Sequence, residues 1–103
     1  MTTTGRDEVV RHLPHAARFE LALGDRPVSW LEYVPEVSPT GTVWRVDHTV
    51  TLPEHRGRGL AGRLVEHVAR DAAAQGVRLD PRCPYVRDWL SRHPEHAAVV
   101  AQE

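Results

Sequence analysis

The stretch Pro53-Glu54-His55-Arg56-Gly57-Arg58-Gly59-Leu60-Ala61-Gly62 stands between an alternating apolar run and a strongly helical one. Glycines at 57 and 59 let the backbone turn tightly and come close to a ligand. A helix that starts near Gly59 leaves its first amide N–H groups unpaired and facing outward, where anions collect. The stretch therefore reads as a cradle for a pyrophosphate.

Upstream of it, Val43 to Leu52 reads as a strand, with Trp44, Val46, His48, Val50 and Leu52 in one phase and Arg45, Asp47, Thr49 and Thr51 in the other. That phase puts a histidine on the apolar face. Downstream, Leu60, Leu64, Val68 and Ala72, flanked by Ala61 and Val65, form a helical stripe that ends at Gly76, a suitable C-cap. Phe19, Leu21 and Leu23 alternate with smaller or polar residues, and Gly24 to Pro27 turns the chain into a second strand, so these form a hairpin. Val77 to Leu79 is a further short strand, and Pro84 suits the first turn of another helix, where its missing N–H costs nothing.

The expected class is α+β: a central, mostly antiparallel sheet with strands near 17–23, 28–34, 42–52 and 77–80. A main helix near 59–75 and C-terminal helices near 84–92 and 95–101 complete it. Residues 1–16 are polar and mixed and read as an N-terminal arm or an edge segment, leaving 17–103 as the single domain.

At 103 residues the chain has room for one core. A net charge of -1, from 13 basic and 14 acidic side chains, gives no general attraction to nucleic acid or to an anionic membrane, and neither partner is expected. No apolar run reaches the ~20 residues of a membrane span, and the first residues lack the apolar core of a signal peptide. One cysteine rules out an internal disulfide and agrees with a reducing compartment, so the expected location is cytoplasmic. No metal site is expected, because Pro94 interrupts the His93 and His96 pair and no third ligand is evident. Nothing calls for an assembly beyond a monomer or weak dimer.

The glycine stretch fits two frames. Gly57 to Gly62 matches the dinucleotide fingerprint G-x-G-x-x-G, with Asp80 roughly the required ~20 residues on. Two features oppose that frame: polar residues 53–56 separate the strand from the first glycine, and only about 40 residues remain for a doubly wound sheet. Framed one position earlier, Arg56, Gly59 and Ala61 give R-x-x-G-x-A, which resembles the coenzyme A loop of the GNAT N-acetyltransferases. Arg18 to Leu21, His48-Thr49, Pro53 through Ala61, Pro81-x-Cys83 and His93-Pro94-Glu95 resemble, in order, the short single-domain branch of that superfamily. His96 departs from it, standing where the branch more often has tyrosine, which puts in question how the C-terminal helix packs.

The resemblance implies an acetyl-CoA-dependent transfer of acetyl to a primary amine on a small molecule or a protein. It assigns pantetheine binding to the backbone of Val50, Thr51 and Leu52, and the pyrophosphate to the amides of Gly57, Arg58, Gly59, Leu60 and Ala61. Arg56 and Arg58 add charged contacts or face solvent. Two residues stand out as catalytic. Cys83 precedes a helix N-terminus beside Arg82, which favours a thiolate competent to take up acetyl; the alternative is a small packing residue. His48 is placed to orient the acceptor or remove its proton, or else to hydrogen-bond within the sheet. The other readings of the chain are a non-catalytic coenzyme A-binding module and, further off, an adaptor for nucleic acid or protein.

Overall fold

A computed structural model describes residues 8–101. Five strands, β1 (Glu8–Leu13), β2 (Arg18–Leu23), β3 (Arg26–Ser38), β4 (Gly41–Thr51) and β5 (Arg78–Pro81), form one sheet in that order. The first four are antiparallel neighbours, and β5 runs parallel to β4. Helix α1 (Leu60–Gln75) is the crossover between β4 and β5, as a parallel pair requires, and α2 (Pro84–Ser91) follows β5. No helix among the described residues is long and apolar enough to cross a membrane.

Alternation along the strands decides which face is buried. Phe19, Leu21, Leu31, Tyr33, Trp44, Val46 and Leu79 point to one side and join Leu64, Val65 and Val68 of α1 and Val86, Trp89 and Leu90 of α2 in a single core. The α1 stripe read from the sequence is this packing face, and it ends at Gly76 with φ +72°, as a left-handed C-cap. The other side of the sheet carries charge. Arg18 donates to Glu20 at 2.9 Å and to Glu32 at 3.1 Å, and its guanidinium lies 4.8 Å from the centroid of the Trp30 ring.

Two expectations need correction. The sheet has five strands, not four: within the segment read as an arm or an edge segment, residues 8–13 form the edge strand, paired in register from Glu8↔Leu23 to Leu13↔Arg18. Residues 1–7 lie outside the described residues. The mixed composition concealed β1 because His12 occupies an inward position. Its ring stacks on Phe19 with centroids 4.1 Å apart, Nε2 lies 2.6 Å from the Tyr33 hydroxyl, and Nδ1 lies 3.4 Å from Asp71 of α1. The last helix, expected at 95–101, is a 3-10 segment over Pro94–Val99, after which Val100 bridges Leu79 and the Ala101 amide donates to the Leu79 carbonyl at 2.8 Å. Those contacts give the outer edge of β5 a backbone partner, which continued helix would not.

Burial pushes the His12 pKa below its ordinary value, opposed by Asp71 and assisted by nearby His67. The unfolded chain then takes up this proton at a higher pH than the folded one. Stability linked to His12 is full above about pH 6.5 and is lost as pH falls toward the lower folded value. Replacing His12 with Gln is expected to lessen the drop in denaturation midpoint between pH 7.5 and pH 5.5. An unchanged pH slope would mean that the ring is not held neutral.

Candidate functional site

The site begins with a backbone irregularity. Glu32 pairs with His48 but Tyr33 pairs with Val46, leaving Asp47 as an extra residue in β4, a β-bulge. A one-residue slip reverses which side chains face the core. Trp44 and Val46 face the helices before the bulge. After it Thr49 and Thr51 do, opposite Leu31 and buried Ser29, while His48 and Val50 turn to the charged side. The single apolar phase expected for 44–52 is therefore broken, and His48 is exposed.

At the same point β5 leaves β4. Their pairing ends at Val46↔Pro81, and the Val46 carbonyl accepts the amides of both Arg82 and Cys83 at 3.0 Å. Beyond it, the outer edge of β4 has no strand partner among the described residues. A cleft of about 500 Å³ lies along that free edge.

Thr49, Val50 and Thr51 supply one wall of this cleft, and Arg56, Gly57, Gly59, Leu60 and Ala61 supply the opposite end. Gly57 and Gly59 have φ of +81° and +75°, conformations that strain any side chain. No atom lies within 4 Å of where a Cβ on Gly57 would stand, so the approach to the loop is open. The first bond of α1 runs from the Arg63 amide to the Gly59 carbonyl at 3.2 Å, which leaves the amides of Leu60, Ala61 and Gly62 without helical partners. These amides and the two left-handed glycines suit a pyrophosphate.

Not every residue singled out in the sequence is free to serve the cleft. Arg56 does line it, but its Nε also donates to the Thr51 carbonyl at 3.2 Å and ties the loop to β4. Arg58 is exposed, with Nη1 3.5 Å from His55 Nδ1, and the Leu52 amide donates to the Val28 carbonyl at 2.9 Å. Cys83 is the N-cap residue of α2, only 7% exposed, with Sγ 3.6 Å from the Thr49 hydroxyl. His48 instead borders a separate depression of about 250 Å³ with Glu32 and Asp47.

Sequence reasoning missed Thr49 and Tyr85. Thr49 was assigned to the outer face because nothing in the sequence marks the bulge. Tyr85 enters the cleft from the first turn of α2, and partial desolvation raises its phenol pKa above the ordinary value. What brings it there is Gly62: a Cβ on that residue would stand 3.1 Å from Trp89 Nε1 and 3.5 Å from the Tyr85 hydroxyl. The third glycine of the motif thus serves close packing of α1 against α2. His93 stacks on Trp89 at 3.7 Å, while His96 also packs against that ring and lies 2.9 Å from Glu66 of α1. Histidine at position 96 therefore still joins the C-terminal segment to the main helix.

A bulged antiparallel strand diverging from a parallel one, above a glycine-rich helix start, is the architecture of an acetyltransferase-type sheet. A profile of the GCN5-related N-acetyl-transferase family matches residues 18–99, and the chain belongs to that family. Among solved structures, a protein assigned as a GCN5-like N-acetyltransferase from Staphylococcus aureus shares the fold at TM-score 0.70 and 15% identity, covering 94% of this chain and 91% of that one. A ribosomal-protein-alanine N-acetyltransferase from Brucella melitensis biovar Abortus 2308 aligns at TM-score 0.53 and 21% identity over 84% of this chain and 64% of that one. An aminoglycoside acetyltransferase from an uncultured soil metagenomic sample aligns at TM-score 0.59 and 12% identity over 84% and 59%. The chain thus spans less than two thirds of the length of these last two. A search of curated proteins finds no match.

Because Gly62 lies against Trp89, Gly62→Leu is expected to lower the unfolding free energy by about 1–3 kcal/mol through overpacking, as read by denaturant titration. Unchanged stability would mean that α2 is free to shift on α1.

Proposed function

We propose that this protein transfers an acetyl group from acetyl-CoA to a primary amine by direct attack of the amine. The observation that carries this reading is the cleft itself: a free strand edge leading to a loop with two left-handed glycines and unpartnered helix amides. When bound, the cofactor supplies an acetyl group activated as a thioester. Thr51, whose backbone faces the free edge, offers its amide to the pantetheine arm, whereas the Val50 carbonyl is turned to β3, where it accepts from Ser29; residues 57–61 with Arg56 offer donors to the pyrophosphate.

The reaction joins the nitrogen of the neutral amine to the acetyl carbon, breaks the carbon–sulfur bond, and passes the proton that the nitrogen loses to the departing thiolate. Water in the open cleft carries that proton, since the Tyr85 hydroxyl stands beside Gly62 at the loop end, where the pyrophosphate would sit. Cys83 is mostly buried, directed at Thr49 and absent from the cleft lining, which supports a packing role over an acetyl-cysteine route. His48, on the far side of the sheet, is left out of this mechanism. Intact mass spectrometry tests the choice. Cys83→Ser is expected to keep turnover within about threefold of the parent, and an acetyl adduct trapped on Cys83 would overturn direct attack.

Only residues 14–17, with a single 3-10 turn, separate β1 from β2, and only Gly24-Asp25 separates β2 from β3, so no α-helix stands at either junction to enclose an acceptor. Large and flexible amines are expected to be accepted. A specificity ratio above about 10⁴ for one small amine would contradict an open site, because such discrimination needs an enclosed one with paired polar groups.

Coenzyme A at 100 times its dissociation constant is expected to add about 2.7 kcal/mol. The melting temperature then rises on the order of 10 °C. Gly59→Val is expected to abolish that rise, and Arg56→Ala to weaken binding by about 1–3 kcal/mol. No shift at millimolar ligand, or a larger one with NAD, would refute the cofactor assignment. Binding without thiol release on any amine of a broad panel would reduce the protein to a binding module.

A further inference from the structure

A second depression, of about 570 Å³, runs from the glycine loop along the seam between α1 and α2. It shares Gly59 and Tyr85 with the cleft, so it continues past the point where a pyrophosphate would sit. Arg63 of α1 and Arg92 at the end of α2 border it. The carboxylate in its lining, Glu66, is already engaged by Arg70 at 2.8 Å and His96 at 2.9 Å. Arg92 is likewise paired with Asp88 at 2.6 Å and Arg63 with Glu8, so what the groove offers a ligand is the guanidinium N–H groups these pairs leave over, which suit an anionic hydrogen-bond acceptor.

Arg63 is held in a particular pose. Its Nε and Nη2 donate to the two carboxylate oxygens of Glu8, at 2.8 and 2.6 Å. Glu8 opens the edge strand β1, and its side chain is 14% exposed. This two-point contact fixes the guanidinium plane and leaves Nη1, which makes no hydrogen bond among the described residues. Nη1 is also the atom nearest the loop, 3.7 Å from where a Cβ on Gly59 would stand, since helical side chains lean toward the helix N-terminus. Fixing the plane in advance removes part of the ordering cost of a charged hydrogen bond.

We propose that the α1–α2 groove receives the nucleotide end of coenzyme A and that Arg63, positioned by Glu8, binds the phosphate on its ribose. This rests on the cofactor reading above and extends it: the edge strand, remote in sequence from the loop, becomes part of cofactor selection. Glu8 acts through Arg63 and is a positioning residue.

The test compares coenzyme A with dephospho-coenzyme A by calorimetry on the whole chain, with unliganded melting of each variant as a folding control. The parent is expected to bind coenzyme A about tenfold more tightly, the effect of one charged hydrogen bond. Arg63→Gln is expected to remove that preference while leaving dephospho-coenzyme A affinity unchanged, and Arg63→Lys to restore part of it. Glu8→Gln is expected to narrow the preference to a few-fold, which a purely structural loss would not do, since it would weaken both ligands alike. Equal affinities in the parent, or an Arg63→Gln variant that keeps the preference or weakens both ligands equally, would overturn the inference and leave the cofactor reading standing. Failure of both ligands to bind the parent would overturn the two together.

Discussion

One buried carbonyl, that of Val46, accepts two consecutive amides, from Arg82 and Cys83. A parallel ladder needs evenly spaced bonds to successive partners, so spending both amides on one acceptor ends the ladder there. The bulge at Asp47 on the same strand turns β4 at this point, and the two strands separate. Three features follow from the separation: a free edge on β4, a cleft along it, and a starting point for α2, where Pro84 has no N–H to leave unpaired.

The bulge also divides the chemistry of the two faces. On the helix side it places a polar strip beside the core. Ser29 donates to the Val50 carbonyl at 3.0 Å and lies 2.9 Å from the Thr51 hydroxyl, and Thr49 faces Cys83. On the other side, Arg18 and Arg45 each bridge two carboxylates, Glu20 with Glu32 and Asp47 with Glu36, so that surface is closed to apolar packing and stays open to solvent. Among the described residues no helical layer covers that face. The edge strand is held instead by side chains that reach α1, with Glu8 on Arg63 and His12 on Asp71.

Much of this was legible because local rules and the global fold agree. The stripe from Leu60 to Ala72 has one period and one partner surface, and positions 57, 59 and 76 need φ values that glycine supplies at no cost. The hairpin at Gly24 and the helix at Pro84 follow from turn chemistry. β1 was not legible as a strand, since an inward histidine balanced by Phe19, Tyr33 and Asp71 looks, in sequence, like a polar residue in a polar arm.

For the site, the sequence by itself determined the glycine-rich turn into α1, because glycine spacing and a helix start are properties of neighbouring residues. Which side chains join that loop was decided only in three dimensions. Strand alternation has period two, so a single inserted residue at Asp47 reversed every assignment downstream of it, bringing Thr49 to the cleft side and sending His48 to the opposite face. Tyr85 and Arg63 depend likewise on partners far along the chain: Gly62 lets α2 approach closely enough to bring Tyr85 to the loop, and Glu8, 55 residues earlier, fixes the guanidinium of Arg63. No local pattern encodes such contacts, because their energy comes from packing and charge between segments that meet only after the sheet has formed.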